Sequence, residues 1–331
     1  MYPTIILIFI LVYIVSRSFY AVDIFTYHHM AMDTMLELRF ECTSQRRAEE
    51  VKKRVFAEVD RLESKLSRTE PGSSVSEINS NAGITPVSVD EEVFAVIEDA
   101  LYYAEITGGA FDPTVAPLVD QWGFIDQNYR VPEAEELEAA LELVDYSLVE
   151  INYDQLTVFL PVEGMALELG GIAKGYIVDR VLEMLREEGL ENAYVNAGDI
   201  GLLGNRPDGD PWRIGIRNPR DNQDVIAIIP LTDKSVDTSG DYERVFEEKG
   251  VRYHHLLDPF SGMPADNLAS VTVIADTTMD ADVLSTAAFI LGLEKGMALI
   301  EDREDLEAVF ITPELEIHIS SGLKDIIELM L

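Results

Sequence analysis

Apolar residues recur along the chain with two periods, and these periods predict a mixture of strands and helices. From Leu36 to Cys42 every second residue is apolar, which predicts a strand with one buried face. From 46 to 66 the apolar residues fall three and four positions apart, which predicts an amphipathic helix. The same helical spacing predicts helices over 90–106 and 173–188; the first ends at a glycine pair and the second follows one.

The second half of the chain is predicted to be richer in strands, with fewer helices. An acidic helix is predicted over 133–144, and a second helix over 279–291 has Thr277 or Thr278 as its N-cap. The predicted strands are a hairpin of 156–160 with 165–169, then 193–196, 212–217, 225–231, 253–257 and 270–275. Because strands and helices do not alternate strictly, we predict an α+β fold rather than a doubly wound sheet.

The first 21 residues differ from the rest of the chain. Residues 2–15 are almost wholly apolar, yet they are too short for a comfortable membrane span of about 20 residues. They are typical of a secretory signal or a short signal anchor, and a buried strand is the alternative interpretation. We therefore predict a signal peptide or short membrane anchor over 1–21 and one domain over 22–331. The predicted location is membrane-associated or exported, on the extracytoplasmic side.

Charge and cysteine content restrict the classes of ligand. The formal net charge is −36, and a surface this acidic repels nucleic-acid phosphates, so we predict no nucleic-acid partner. Cys42 is the one cysteine, which excludes an internal disulfide, an iron–sulfur cluster held by thiolates and a multi-cysteine zinc site. An anionic ligand would need a metal ion, a helix N-terminus or a few well-placed cations.

Two segments carry candidate chemistry for such a ligand. Asp282 and Thr286 are four residues apart in a predicted helix and therefore share a face, where their oxygens would suit Mg²⁺. Structural roles in the helix are the alternative interpretation. Glycines at 170, 171 and 175 surround Lys174 at a strand-to-helix junction, which indicates either a phosphate site or a tight turn.

A histidine pair in a predicted strand is the third candidate. His254 and His255 should face opposite sides of the strand, so at most one of them enters a given site. Such a histidine is a candidate base, and a satisfied surface histidine is the alternative.

Taken together, these segments resemble the ApbE family of FAD:protein FMN transferases. The resemblance covers about residues 30–300, and the motifs occur in the order that the family has. The matching segments are Met32–Thr34, Leu66–Arg68, Ser76–Asn79, Gly109–Thr114 with Trp122–Phe124, Gly170–Gly175 with Asp179, Asn196–Ile200, Thr238–Gly240, His255–Pro259 and Ala281–Thr286.

The resemblance implies a fold, a reaction and roles for individual residues. The fold would be a single two-lobed α+β domain with FAD in the cleft between the lobes. The carboxylate of Asp282, the hydroxyl of Thr286 and the backbone carbonyl of Ala173 would hold Mg²⁺, and His255 would be the catalytic base. The residues implied to bind the FAD are Met32, Asn79, Ala110, Phe111, Asp112, Lys174, Asp179, Thr238, Ser239 and Gly240.

The implied activity is transfer of FMN from FAD to a Thr or Ser hydroxyl of an acceptor protein, with release of AMP. Two alternatives stay open: a metal-dependent FAD pyrophosphatase that yields FMN and AMP, and a non-catalytic flavin-binding protein. Asp33 stands where the family usually has glycine. We predict that Asp33 does not abolish FAD binding and that it lies beside the metal–phosphate site or turns to solvent.

Overall fold

The computed structural model describes residues 22–330 as a mixed α+β fold. Its helices are α1 (Gln45–Leu66), α2 (Ser74–Ser80), α3 (Glu91–Ile106), α4 (Ala116–Trp122), α5 (Ala134–Leu141), α6 (Ala173–Glu187) and α7 (Thr278–Glu301). Short 3₁₀ helices span Tyr146–Leu148 and Ser321–Leu323. The predicted segment over 1–21 lies outside the described residues.

The strands build one large antiparallel sheet and three small ones. Strands β1 to β8 are Asp23–Ala31, Thr34–Cys42, Val87–Ser88, Glu150–Asn152, Thr157–Phe159, Ala193–Asn196, Ile200–Leu203 and Trp212–Asn218. Strands β9 to β16 are Asp221–Leu231, Ser235–Gly240, Val245–Glu248, Val251–His254, Ser270–Ala275, Glu307–Ile311, Ile317–Ile319 and Glu328–Leu329. The large sheet has the order β1-β2-β6-β7-β10-β13-β14-β15, which places β7 and β10 at its centre.

The first hairpin and helix show how the hydrophobic pattern produces the fold. The alternating residues of β2 are buried, and α1 covers them with its own buried stripe, which includes Val51, Val55 and Val59. The predicted strand and helix are therefore confirmed. Met32 and Asp33 form the turn between β1 and β2 with φ angles of 53° and 56°, the left-handed region that a type I′ turn needs at both positions.

Helix α7 is a core helix that lies against the centre of the large sheet. The side chain of Thr277 accepts a hydrogen bond from the Asp280 amide, so the predicted N-cap is confirmed. Gly292, at φ 76°, interrupts the helical geometry directly after the predicted end at 291. By length and composition α7 would be able to cross a membrane, but half of its apolar window is buried within the fold.

Two predicted strands were wrong in part, and in each case another contact holds the backbone. Residues 165–169 do not pair with β5, which lies between β3 and β4. Instead the side-chain amide of Asn79 bonds the Leu167 carbonyl at 3.0 Å and accepts from its N–H at 2.7 Å. The strand predicted over 253–257 ends at His254, because the chain beyond it pairs with another segment: the Ala265 amide bonds the Leu256 carbonyl at 3.0 Å and Leu257 forms an isolated bridge with Pro264.

Candidate active site

Three buried aspartates and one lysine meet beside the centre of the large sheet. Asp199 lies in the short turn between β6 and β7, Asp237 lies in β10, and Asp282 lies in the first turns of α7. Their carboxylate oxygens lie within 4.8 Å of one another. Lys174, in the first turn of α6, places its Nζ 2.5 Å from Asp199 Oδ1 and 3.6 Å from Asp282 Oδ1. We call these four residues the carboxylate cluster.

The start of α6 reaches the cluster because a glycine allows two helices to touch. A Cβ atom at Gly175 would lie 2.7 Å from Met279 Cα and 2.7 Å from the Thr278 carbonyl oxygen, so no larger residue fits between α6 and α7. The backbone N–H of Gly175 donates to Asp282 Oδ2 at 3.1 Å. The glycine-rich junction therefore positions Lys174 and also supplies a donor to the cluster.

The cluster holds more negative charge than its lysine can balance. Burial, followed by repulsion from Asp282, raises the pKa of Asp199 to about 7. Burial, followed by repulsion from Asp199, likewise raises the pKa of Asp237 to about 7, and burial also raises the pKa of Asp282. Burial works against the charge on Lys174, but Asp199, Asp282 and Asp237 outweigh it and raise the pKa of Lys174.

The donor set fits a hard divalent cation. All the side-chain donors that converge here are carboxylate oxygens, which Mg²⁺ and similar ions prefer. Asp199 is fully buried, and its Oδ2 has no hydrogen-bond partner among the described residues. A buried carboxylate oxygen left without a donor is costly unless a ligand satisfies it. A divalent ion together with Lys174 would balance all three carboxylates.

Sequence reasoning missed two members of the cluster. Asp282 was predicted from its helical spacing with Thr286, but Asp199 was noted only within a motif and Asp237 was not singled out. These two residues are 38 positions apart (237 − 199), so no local period connects them. The available signal was a carboxylate at 237 within an otherwise uncharged segment, 235–240, which becomes the buried strand β10.

Hydroxyl groups join the cluster to the predicted ligand Thr286. Ser285 donates to Asp237 Oδ2 at 2.6 Å, and its Oγ lies 2.9 Å from Ser239 Oγ. Ser239 Oγ lies 3.1 Å from Thr286 Oγ1. Thr238 pairs instead with Thr272, with 2.8 Å between their hydroxyl oxygens. The structure thus brings together Lys174, Ser239, Asp282 and Thr286, while the ligand roles of Thr286 and the Ala173 carbonyl stay predictions.

The two neighbouring histidines have different surroundings. His254 is buried: its Nε2 contacts the Ala265 carbonyl at 2.7 Å, and its Nδ1 accepts from the Leu256 amide at 3.3 Å. The Nδ1 of His255 is buried without a hydrogen-bond partner among the described residues. Burial, with help from Arg244, His254 and Lys174, lowers the pKa of His255 to about 3, so its ring is neutral at pH 7. A neutral imidazole with a free nitrogen has the capacity to accept a proton, and the role of His255 as the base stays a prediction.

Several residues predicted to contact FAD have side chains that hold protein segments together. Both carboxylate oxygens of Asp179 accept backbone N–H groups at the start of α7, from Thr278 at 2.7 Å and from Met279 at 2.9 Å. Asp112 accepts from the amide and the hydroxyl of Thr114 and from the Tyr146 amide. Their contacts with FAD stay predictions.

The remaining predicted FAD residues are buried, bonded to other parts of the fold or tightly packed. Ala110 and Phe111 are buried, and Met32 donates its backbone N–H to Glu63 Oε1 at 2.7 Å. A Cβ atom at Gly240 would lie 2.6 Å from the ring of Tyr242, which explains the glycine there. Within residues 22–330, no hydrogen bond joins Met32, Asn79 or Asp112 to the carboxylate cluster.

Comparisons with known proteins show what this chain is similar to. The model of the ApbE family matches residues 32–310. An FAD:protein FMN transferase of Klebsiella pneumoniae is 41% identical over 271 residues, which are 81% of this chain and 84% of that protein. One from Treponema pallidum is 37% identical over 288 residues, 82% of this chain and 79% of that protein.

Solved structures match over a still larger share of the chain. The crystal structure of the ApbE protein from Thermotoga maritima has a TM-score of 0.84 at 36% identity, covering 92% of this chain and 99% of that one. The flavin transferase ApbE from Vibrio cholerae has a TM-score of 0.83 at 29% identity, covering 92% of this chain and 100% of that one.

Proposed function

The chain belongs to the ApbE family, and from that membership we propose how its carboxylate cluster serves the reaction of an FAD:protein FMN transferase. The protein is such a transferase by homology with relatives that cover most of its length. In detail, it moves the FMN part of FAD onto a Thr or Ser hydroxyl of an acceptor protein and releases AMP. The observation that carries this proposal is the buried cluster with its unsatisfied Asp199 oxygen.

The residues that would hold Mg²⁺ are Asp282 with Asp199 or Asp237, together with the Thr286 hydroxyl and the Ala173 carbonyl that the family resemblance implies. When bound there, the ion supplies positive charge to the pyrophosphate oxygens on which negative charge builds during the transfer. Lys174 keeps its proton because three carboxylates surround it, and it holds Asp199 in place. The overall charge of −36 makes such local positive charge necessary for binding an anionic substrate.

His255 would take the proton from the attacking hydroxyl. The acceptor oxygen forms a bond to the FMN-side phosphorus while the bond from that phosphorus to the bridging oxygen of AMP breaks. The hydroxyl proton passes to the neutral ring of His255, which is only partly buried although its Nδ1 is enclosed by the fold. The low pKa of His255 makes it a weak base in the free protein, and the nearby negative charge of bound FAD would raise that pKa.

Mass spectrometry of an acceptor protein tests this function and separates it from the two alternatives. The full chain is incubated with FAD, Mg²⁺ and an acceptor that carries a Thr or Ser target, and the expected product is the acceptor plus FMN. Release of FMN and AMP with no modified acceptor would instead indicate a pyrophosphatase. Bound but intact FAD would indicate a non-catalytic flavin-binding protein. Asp282→Ala is the control that should yield none of these products.

We also propose that the working domain acts on the extracytoplasmic side and is tethered or released through residues 2–21. The apolar run from Ile5 to Val12 supports this proposal. Fractionation of the producing cells should place the protein in the membrane or exported fraction. Recovery of the whole chain only from the cytoplasm, with residues 1–21 intact, would refute it.

A further inference from the structure

Four polar side chains form a continuous hydrogen-bonded chain between β10 and α7. It begins at Asp237, which accepts from the Ser285 hydroxyl at 2.6 Å. It continues through Ser239, whose Oγ lies 2.9 Å from Ser285 Oγ and 3.1 Å from Thr286 Oγ1. We call these four residues the hydroxyl chain. Asp237, Ser239 and Ser285 are buried, so bulk water does not compete for the bonds among these three, while Thr286 is half-buried at the end of the chain.

The direction of each bond follows from the number of protons that the groups carry. A hydroxyl has one proton to donate and two lone pairs that accept. Ser285 gives its proton to Asp237, because this contact, at 2.6 Å, is shorter than the 3.0 Å approach of Ser285 Oγ to the Asp282 carbonyl. Ser285 must then accept from Ser239, and Ser239 must accept from Thr286.

This direction determines how the Thr286 hydroxyl is presented to the cluster. In a helix, a threonine proton commonly bonds the carbonyl one turn earlier, which leaves the orientation of the hydroxyl variable. Here the proton points toward Ser239, so the lone pairs of Thr286 Oγ1 are free on the other side. Thr286 lies one helical turn after Asp282, on the same face of α7.

We infer that Asp237 is a positioning residue that, through Ser285 and Ser239, fixes the Thr286 hydroxyl with its oxygen available to a divalent cation. The inference rests on the proposed function in one respect, namely that a cation binds at the carboxylate cluster. It also gives Ser239 a role that does not depend on FAD. The buried hydroxyls of Ser285 and Ser239 then orient the Thr286 oxygen toward the cation, in addition to filling the space between β10 and α7.

Ser285→Ala tests the inference more sharply than a change at Asp237, since Asp237 is close enough to the cluster to bind a cation itself. The matched control is Ser235→Ala. Ser235 is buried and lies on β10, the strand that carries Asp237. Its hydroxyl lies 2.8 Å from that of Thr278 on α7, the helix that carries Ser285. Both changes remove one buried serine hydroxyl between β10 and α7, but only Ser285 belongs to the hydroxyl chain.

The probe is Mn²⁺ alone, titrated into the FAD-free full chain, with the free ion measured by electron paramagnetic resonance. Ser285→Ala should weaken Mn²⁺ binding about 10-fold, the lower end of the range for a partner that orients a metal ligand. Ser235→Ala should change it less than about 2-fold, within the usual effect of a change with no ligand-orienting role. Ser239→Ala breaks the chain at its next bond and should match Ser285→Ala, which covers the case in which Ser285→Ala fails to fold.

A double-mutant cycle with Thr286→Val decides whether the effect passes through Thr286. If it does, adding Ser285→Ala to Thr286→Val should weaken Mn²⁺ binding no further. Losses that multiply, or wild-type affinity in both Ser285→Ala and Ser239→Ala, would overturn the inference. A wild-type chain that binds Mn²⁺ and shows the coupling but transfers no FMN would refute the proposed function alone.

Discussion

Two groups of carboxylates and cations in this protein have pKa values that shift in opposite directions. The carboxylate cluster has three acids and one lysine, and burial raises the pKa of Asp199 to about 7. A second group, the surface network, joins α1 to the start of α3 and consists of Glu58, Arg61, Lys65, Asp90 and Glu92. There the hydrogen bond from Arg61, followed by that from Lys65, lowers the pKa of Glu92 to about 2 despite its partial burial.

The difference lies in charge balance and access to water. In the surface network two cations meet three acids, and the Glu92 side chain is still 22% exposed, so water helps to solvate the remaining charge. In the cluster the Asp199 side chain is 0% exposed and one lysine faces three acids. A buried group with incomplete charge balance has no structural benefit of its own, because its desolvation cost exceeds its attraction. This buried imbalance makes the cluster, and not the surface network, the candidate site for a cation.

The largest expected effect comes from removing Asp282, the predicted charged ligand on α7. Asp282→Ala should weaken Mg²⁺ binding at least about 100-fold and abolish FMN transfer, since it removes a direct carboxylate donor. Thr286→Ala should be milder, about 10-fold, because a neutral hydroxyl contributes less than a carboxylate. Isothermal titration with Mg²⁺ and the acceptor assay measure both. Glu92→Gln removes a carboxylate from the surface network and should leave both values near wild type; full turnover by Asp282→Ala would rule out the metal site.

The next effect separates proton transfer from metal binding within the site. His255→Gln should lower the rate of FMN transfer about 10²- to 10⁴-fold, the usual contribution of a positioned general base. Mg²⁺ affinity should stay within about 2-fold of wild type, because His255 makes no contact with the carboxylate cluster among the hydrogen bonds and ion pairs of the described residues. Single-turnover rates at saturating FAD provide the measurement. A variant with an unchanged rate would show that another group accepts the proton.

A moderate effect on stability is expected from the surface network, and its sign follows from the lowered pKa of Glu92. Since the pKa of Glu92 falls from 4.5 to about 2 on folding, the ionised group stabilises the fold above about pH 4.5. That contribution is lost as the pH falls from 4.5 toward 2. Urea unfolding across this range should show a smaller loss of stability for Glu92→Gln than for wild type. Identical slopes would mean that Arg61 and Lys65 do not stabilise the charge of Glu92.

The smallest effect is expected at Asp33. Its side chain is exposed at the β1–β2 turn, so Asp33→Gly should leave FAD and Mg²⁺ affinity within about 2-fold of wild type. Tighter FAD binding at low salt in the glycine variant would show that Asp33 repels the phosphates. Weaker Mg²⁺ binding would show that it contributes to the metal site. If the natural protein fails to bind FAD and the Asp33→Gly variant binds it, the prediction is wrong.

The sequence predicts features within one helix or strand well, and it predicts poorly which residues from distant parts of the chain meet in the fold. The period of the α1 stripe and the spacing of Asp282 with Thr286 are properties of one helix, and the sequence reveals both. Asp199 and Asp237 join the cluster only because the sheet order places β7 beside β10, which no short period encodes. The failed strand at 165–169 has a similar cause, since a side chain 88 residues away, that of Asn79, takes the hydrogen bonds that a partner strand would have made.

The glycine contact between α6 and α7 limits which substitutions the carboxylate cluster can tolerate. At Gly175 the two helices touch backbone to backbone, so the distance between the backbones that carry Lys174 and Asp282 is set by main-chain atoms and does not adjust when a side chain changes length. Replacements usually regarded as conservative should therefore be poorly tolerated. Asp282→Glu adds a methylene group that a fixed frame has no room to absorb, and Lys174→Arg replaces a compact charge with a broad plane. Substitution tolerance around the cluster should therefore depend on side-chain size as well as on charge, whereas an exposed ion pair tolerates a change of size.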